Sequence, residues 1–269
     1  MTPPPSSPAG FTAPAKKQFG QHFLADTHYV DKIVMAVSPK AGDRLVEIGP
    51  GQGAITFPLL RKHPQLTVIE FDRDLIAPLT AAAAPLGELS IIHRDVLQVN
   101  FSELAPEGGK IRLVGNLPYN ISSPILFHAL DHAAAISDMV FMLQKEVVDR
   151  MAAGPGSKVY GRLSVMLQAY CRVDSLFIVP PGAFRPPPKV DSAVARLVPH
   201  DPASVGINDH ARFAEVVRAA FGQRRKTLRN ALDGVVTAAQ FDAAGVRPDA
   251  RAEQIEVAQF IALANAPTA

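Results

Sequence analysis

The stretch VEIGPGQG, residues 46–53, decides how the chain is read. An apolar run ends in glycines at alternating positions, Gly49, Gly51 and Gly53, and the helically spaced GAITFPLLRKH follows at once. Glycines between a strand and a helix permit a tight turn and let the backbone approach a ligand closely. The pattern repeats outward. RLVEIG, QLTVIEFD, LSIIHRDVL, IRLVGNLPY and DMVFMLQ read as strands, and RDLIAPLTAAAA and SSPILFHALDHAAA between them have helical spacing. Strands alternating with helices predict a mostly parallel sheet covered on both faces.

Past DSAVARLVPHDPASVGIND the pattern changes. From about Asp209 only helical patterns remain: HARFAEVVRAAFGQRRKTLRNAL, TAAQFDAAG and AEQIEVAQFIALANA. The stretch 199–208 reads as a linker. The expected organisation is a tail over 1–15, a Rossmann-like α/β catalytic domain over 16–200 and a small all-helical domain over 208–269.

Composition bounds the function. With 269 residues, 48% hydrophobic and 19% charged, the chain is core-forming, not disordered. A formal charge of +2 says little about partners, so local clusters must say it. The single cysteine, Cys171, excludes an intramolecular disulfide and a cysteine-rich metal site and suits a reducing compartment. No run approaches the ~20 apolar residues of a membrane span. The first residues, MTPPPSSPAGFTAPAKK, lack the apolar core of a secretory signal, so the cytoplasm is expected, without membrane association.

Glu70 ends the second strand, roughly twenty residues past the glycine turn, where a carboxylate can accept both ribose hydroxyls of a nucleoside. Asp95 closes the third strand, where it could accept from an adenine amino group. Asp72 and Asp74 read instead as caps of the next helix. The Gly-x-Gly-x-Gly spacing differs from the dinucleotide fingerprint. It resembles the turn of S-adenosylmethionine-dependent methyltransferases, whose cofactor has no pyrophosphate to seat.

GNLPYNISSPI (115–125) places an amide, a rigid proline and a phenol at the exit of the fourth strand. Methyl transfer to adenine N6 needs such a set. The amine lone pair is delocalised into the ring, and two acceptors holding its hydrogens can pull the nitrogen toward tetrahedral geometry. The Asn116 side-chain oxygen and the Leu117 carbonyl can serve, Pro118 stiffens the backbone, and Tyr119 offers a ring for the base to stack on. The alternative is a plain helix start, with Asn120 or Ser122 as cap and Tyr119 as packing.

Here the resemblance becomes specific. KKQFGQHFL, EIGPGQGAIT, VIEFDRDL, GNLPYNISSPI, FMLQKEVVDRM, YGRLSVMLQAY, FRPPPKVDSAVARL and FGQRRKTLRNAL run in order over nearly all of residues 16–232. In these fragments the chain resembles the ribosomal RNA adenine dimethyltransferase family, in particular its bacterial small-subunit members. The resemblance implies that His22 and Leu24 line the amino-acid end of S-adenosylmethionine, with Gly49 and Gly51 beneath it. It implies that Glu70 binds the ribose, Asp95 the adenine, and Asn116 both cofactor and target amine. Tyr119 and Phe184 would sandwich the flipped adenine. Many relatives carry Asn where this chain has His22; a neutral imidazole can still donate or accept. The implied substrate is a pair of adjacent adenosines in a hairpin loop near the 3′ end of 16S rRNA, within a precursor of the small ribosomal subunit.

Arg224, Arg225, Lys226 and Arg229 fall within one or two helical turns, where several could face a phosphate backbone together; a solvated helix face is the alternative. GPGSKVYGR (154–162) reads as a loop whose Lys158 and Arg162 could grip RNA, or as a plain loop. His128 and His132 read as packed or capping residues, and nothing suggests a metal site. Two rivals share the fold: a DNA or large-subunit rRNA methyltransferase, and a binding module that gates small-subunit assembly. The absence of a leftover apolar stripe suggests a monomer.

Overall fold

In a computed structural model, residues 21–223 and 225–267 are described. The tail over 1–15 and the KKQFG segment lie outside them. Nine strands are found in this range: β1 (Phe23–Leu24), β2 (Arg44–Ile48), β3 (Gln65–Glu70), β4 (Glu88–His93), β5 (Ile111–Asn116), β6 (Ile136–Gln144), β7 (Cys171–Val179), β8 (Phe184–Arg185) and β9 (Ser192–Pro199). The helices are α1 (Thr27–Val37), α2 (Thr56–Lys62), α3 (Arg73–Ala83), α4 (Ser122–Asp131), α5 (Lys145–Ala152), α6 (Arg162–Tyr170), α7 (His210–Ala220), α8 (Leu228–Ala231), α9 (Ala238–Ala244) and α10 (Val257–Asn265).

Seven strands form one sheet in the order β4-β3-β2-β5-β6-β9-β7. The pairings among β4, β3, β2, β5 and β6 are parallel, and β9 joins β6 antiparallel. The expected α/β fold with a mostly parallel, Rossmann-like sheet is therefore present. Its central strands are buried on both faces, which is why they read as continuous apolar runs: Leu45, Val46 and Ile48 on β2, and Leu113 and Val114 on β5, are almost fully inaccessible. The chain order places β2 and β5 side by side with β3 and β6 outside them. The sheet therefore reverses direction of growth at the β2–β5 boundary, where α/β proteins bind ligands beyond the carboxyl ends of their strands.

The chain divides into two compact units: the residues through Lys145 with Asp174–Val198, and Glu146–Val173 with Pro199 onward. In the first, the core runs from α1 through the sheet, with Ile33, Leu59, Leu60 and Phe57 packed together. An ion-pair group closes its lower edge: Arg112 binds Asp43 and Asp138, and Asp138 also accepts from Arg196. In the second unit, Tyr160 donates to the Ile255 carbonyl at 3.0 Å, and Phe221 packs on Tyr160 and Phe260. The segment Glu146–Val173, inside the 16–200 span of the sequence reading, is thus held by the helices that follow Pro199.

Two local expectations are corrected. The run from His210 to Leu232 is not one helix. α7 ends at Ala220, Gly222 closes a turn onto Ala219, and α8 starts afresh after Thr227. Glycine disfavours a helix interior by about 1 kcal/mol relative to alanine, which favours ending the helix there. Asp95 lies two residues past the end of β4, on a short 3-10 turn over Val96–Gln98 whose first turn it caps. Asp72 caps α3 as expected, accepting from the Asp74 N–H at 3.1 Å.

Candidate active site

A cavity of about 260 Å³ opens at the carboxyl ends of β2, β3 and β5, inside the first unit. Among the residues that line it are His22, Leu24, Gly49, Gly51, Glu70, Asp95, Asn116, Leu117 and Tyr119. Residues spread over nearly a hundred positions of sequence thus converge, because the parallel strands deliver their ends and the turns after them to one edge and the segment of His22 and Leu24 crosses it.

The glycine turn forms the floor. Gly49, Gly51 and Gly53 have φ of 67°, 56° and 83°, left-handed values that suit glycine. A Cβ on Gly51 would stand 3.1 Å from the Phe23 ring, so the turn also makes room for the β1 segment that crosses it. The turn is tied to the acid at the end of β3: Glu70 accepts from the Gly51 N–H at 3.3 Å and from the Asp72 N–H at 2.7 Å. Burial raises the Glu70 pKa, and these backbone donors and the Phe71 N–H oppose the rise while Asp72 adds to it. Each carboxylate oxygen has a second lone pair for a ligand hydroxyl.

Glu47, one strand position before Ile48, also lines the cavity and is 1% exposed. Burial pushes its carboxyl up to about 8, against the Thr56 hydroxyl that donates to it at 2.6 Å and with help from Glu70.

Asn116 ends β5. Its Nδ2 donates to the His22 carbonyl at 3.0 Å, which fixes the amide rotation. With the amide nitrogen spent on His22, Oδ1 is the atom left to accept from a ligand amine. The Leu117 N–H donates to the Met142 carbonyl at 3.0 Å, extending the β5–β6 ladder one residue before Pro118 breaks it. The Tyr119 hydroxyl bonds the Ser192 hydroxyl at 2.6 Å. Burial raises the Tyr119 pKa against that bond, so the phenol stays protonated and its ring is anchored from β9. α4 starts at Ser122 behind Ile121, which makes no side-chain cap; Ser122 instead donates to the Tyr119 carbonyl at 3.2 Å. Asn120 is exposed and caps nothing, so the plain helix start does not account for the motif.

The family model described as ribosomal RNA adenine dimethylase matches residues 13–268. The chain belongs to the ribosomal RNA adenine dimethylase family. It is 79% identical over 257 residues to a protein of Xanthomonas axonopodis pv. citri (strain 306) named ribosomal RNA small subunit methyltransferase A, covering 96% of this chain and 98% of that one. Among solved structures it is similar to a dimethyladenosine transferase from Plasmodium falciparum, with a TM-score of 0.76 and 26% identity over 90% of this chain and 96% of that one. A 23S rRNA methyltransferase, ErmE, shares the fold, with a TM-score of 0.69 and 24% identity over 90% and 98% of the two chains.

This family member is therefore a methyltransferase, and S-adenosylmethionine is its methyl donor. The cavity fits that molecule. Its polar lining is dominated by acidic and amide groups, suited to hydroxyls, amines and a sulfonium, and its floor is bare backbone. Glu70, with both oxygens oriented by backbone donors, offers its remaining lone pairs to the cavity.

The basic residues that the sequence offered for RNA lie in the second unit. Arg162 opens α6 and is exposed; Arg225 and Lys226 are exposed in the turn between α7 and α8, and Arg229 follows on α8. Arg224 lies outside the described residues. Arg225 and Lys226 thus sit on a turn, and Arg229 on the short helix after it.

Phe184 departs from the reading. Its ring is fully buried, belongs to the core cluster and is not part of the cavity lining. It pairs with Leu24 in the β1–β8 ribbon, where a large apolar ring anchors the short segment crossing the cofactor floor. In this structure it offers no face to a base. What lies against Tyr119 instead is His22, ring centroids 5.5 Å apart and planes 26° from parallel. The sequence reading also missed Glu47 and Phe71; the latter is 58% exposed yet lines the cavity next to Glu70. A large apolar residue directly after a strand-end acid was the available signal for Phe71.

Proposed function

We propose that this enzyme transfers methyl groups to N6 of two adjacent adenosines in the hairpin loop near the 3′ end of 16S rRNA, within a precursor of the small ribosomal subunit. The products are N6,N6-dimethyladenosines. It acts as a monomer in the bacterial cytoplasm, in the course of small-subunit biogenesis. Its relatives named for small-subunit rRNA methylation match it over almost their whole length, which favours this substrate over DNA or large-subunit RNA. Among the described residues no helix is long and apolar enough to cross a membrane.

One observation carries the mechanism: the Asn116 amide is locked by the His22 carbonyl at the mouth of the cavity that Glu70 lines. The cofactor supplies an activated methyl on its sulfonium. Asn116 Oδ1 and the Leu117 carbonyl accept from the two N6 hydrogens and turn the lone pair toward the cofactor side. Tyr119 holds the flipped base by stacking, its ring fixed by Ser192. Glu70 holds the ribose, Asp95 the cofactor adenine, and Leu24 and the glycine turn pack beneath. The chemistry asks for position above all, and intramolecular placement can supply most of the rate. Arg162, Arg225, Lys226 and their neighbours in the helical unit meet the rRNA backbone, an attraction that weakens with salt.

The test is methyl transfer from labelled S-adenosylmethionine to small-subunit particles lacking adenine dimethylation, with free 16S and 23S rRNA in parallel, followed by nucleoside mass spectrometry. Dimethyladenosine at two adjacent positions on particles is the expected result. Incorporation only into 23S rRNA or DNA would overturn the substrate assignment.

A further inference from the structure

The ring that covers Tyr119 in this structure belongs to the enzyme itself. His22 immediately precedes β1, the segment that crosses the glycine turn, and it lines the cavity with the residues of the β5 exit. Three contacts hold it there. Its carbonyl accepts from Asn116 Nδ2 at 3.0 Å, its Nδ1 is 3.0 Å from the Pro186 carbonyl, and its ring stacks on Tyr119 at 5.5 Å. The backbone of His22 thus positions the amide that meets the target amine, while its side chain occupies one face of the ring expected to meet the target base.

A base cannot enter between these two rings as they stand. Inserting a third aromatic plane needs ring planes about 7 Å apart, twice the ordinary stacking distance of roughly 3.5 Å. The imidazole can leave without disturbing Asn116, because the bond to Asn116 comes from the His22 carbonyl and not from the ring. Its departure breaks one hydrogen bond to Pro186 and one stack.

We infer that the His22 imidazole is a placeholder for the target adenine: it stacks on Tyr119 until the flipped base displaces it, and so sets how easily the base enters. This rests on the reading of Tyr119 as the platform for the base. The competition is between like groups. An imidazole offers Tyr119 a small π-face and a purine offers a larger one, so the base wins, but only after displacing a stack already made. An unmethylated, monomethylated or wrong base meets the same toll, and the one that also satisfies Asn116 and Leu117 is favoured. His22 therefore sets how readily any base enters, and the choice among bases falls to Asn116 and Leu117.

The experiment measures kcat/KM for under-methylated small-subunit particles, with the S-adenosylmethionine dissociation constant by calorimetry, for His22→Ala, His22→Asn and His22→Phe. Removing the competing ring in the Ala and Asn variants is expected to raise kcat/KM about three- to tenfold, the worth of one aromatic pair. A larger ring in the Phe variant is expected to lower it. A residue that merely supported the fold would give losses in all three. An unchanged or reduced kcat/KM in both the Ala and Asn variants overturns the inference. Tyr119→Ala tests the underlying reading separately: if it leaves kcat/KM unchanged, the base does not stack there, whatever His22 does.

Discussion

Replacing Glu47 by Gln tests whether the acid beneath the cofactor floor is neutral in the folded protein. Glu47 is 1% exposed, and burial pushes its carboxyl from the ordinary 4.5 to about 8, against the Thr56 hydrogen bond and with help from Glu70. The unfolded chain releases this proton near pH 4.5 and the folded chain near 8. Between those values the folded state binds more protons, so the contribution of Glu47 to stability is greatest below 4.5 and falls as pH rises, levelling off above 8. Over the whole window the loss is about 5 kcal/mol at ~1.36 kcal/mol per pH unit, and more than half of it has occurred by pH 7. Glutamine carries no such proton. The stability of the Gln variant relative to the parent should therefore climb with pH, by about 3 kcal/mol between pH 5.5 and 8. Groups not coupled to Glu47 drop out of that difference; Glu70, whose charge helps raise the Glu47 pKa, stays in it. Urea unfolding of both proteins at half-unit pH steps, without cofactor, measures it, and the 13C shift of the Glu47 carboxyl reports the titration directly. A difference constant across the range would mean that Glu47 is ionised with an ordinary pKa, and the reasoning from burial would be wrong.

Glu70→Ala should raise the S-adenosylmethionine dissociation constant at least about tenfold in calorimetry, since charge-assisted hydrogen bonds are worth ~1.5–3 kcal/mol. Gly115→Ala should destabilise the sheet by ~1–3 kcal/mol or more, because its Cβ would stand 2.4 Å from the Ile48 carbonyl on the neighbouring strand; denaturant midpoints check this. Asp138→Asn should cost about 3–5 kcal/mol at neutral pH by leaving Arg112 and Arg196 short of a charge. Burial pushes Asp138 up, but its bonds to the two arginines outweigh that and set it below 3.8. Its contribution is thus present above that value and fades as pH falls through the lowered one, so the penalty of the Asn variant should shrink in acid.

The sheet and the cofactor floor were legible because their signals are local. A glycine turn, a strand-end acid and an amide-proline-phenol run each declare their geometry within a few residues, and a parallel sheet brings strand ends together without further information. What lay out of reach depends on pairing across the chain. Phe184 precedes a stiff proline run and looks available to a base, yet its pairing with Leu24, 160 positions away, buries it. The stack of His22 on Tyr119 has the same origin. Arg225 and Lys226 lost the helical face the spacing offered, because α7 ends at Ala220 and Gly222 closes a turn before them. Glu47 reads as an unremarkable strand residue until burial on both faces of β2 is seen.

The most direct measurement is single-turnover methyl transfer by Asn116→Ala on under-methylated small-subunit particles, beside its cofactor affinity. If Asn116 aims the target amine, transfer should fall at least about a hundredfold, as when other preorganised polar groups are removed from active sites. Cofactor affinity should change far less. Transfer within a few-fold of the parent would contradict the account, since the amide locked by His22 would then have no part in the reaction.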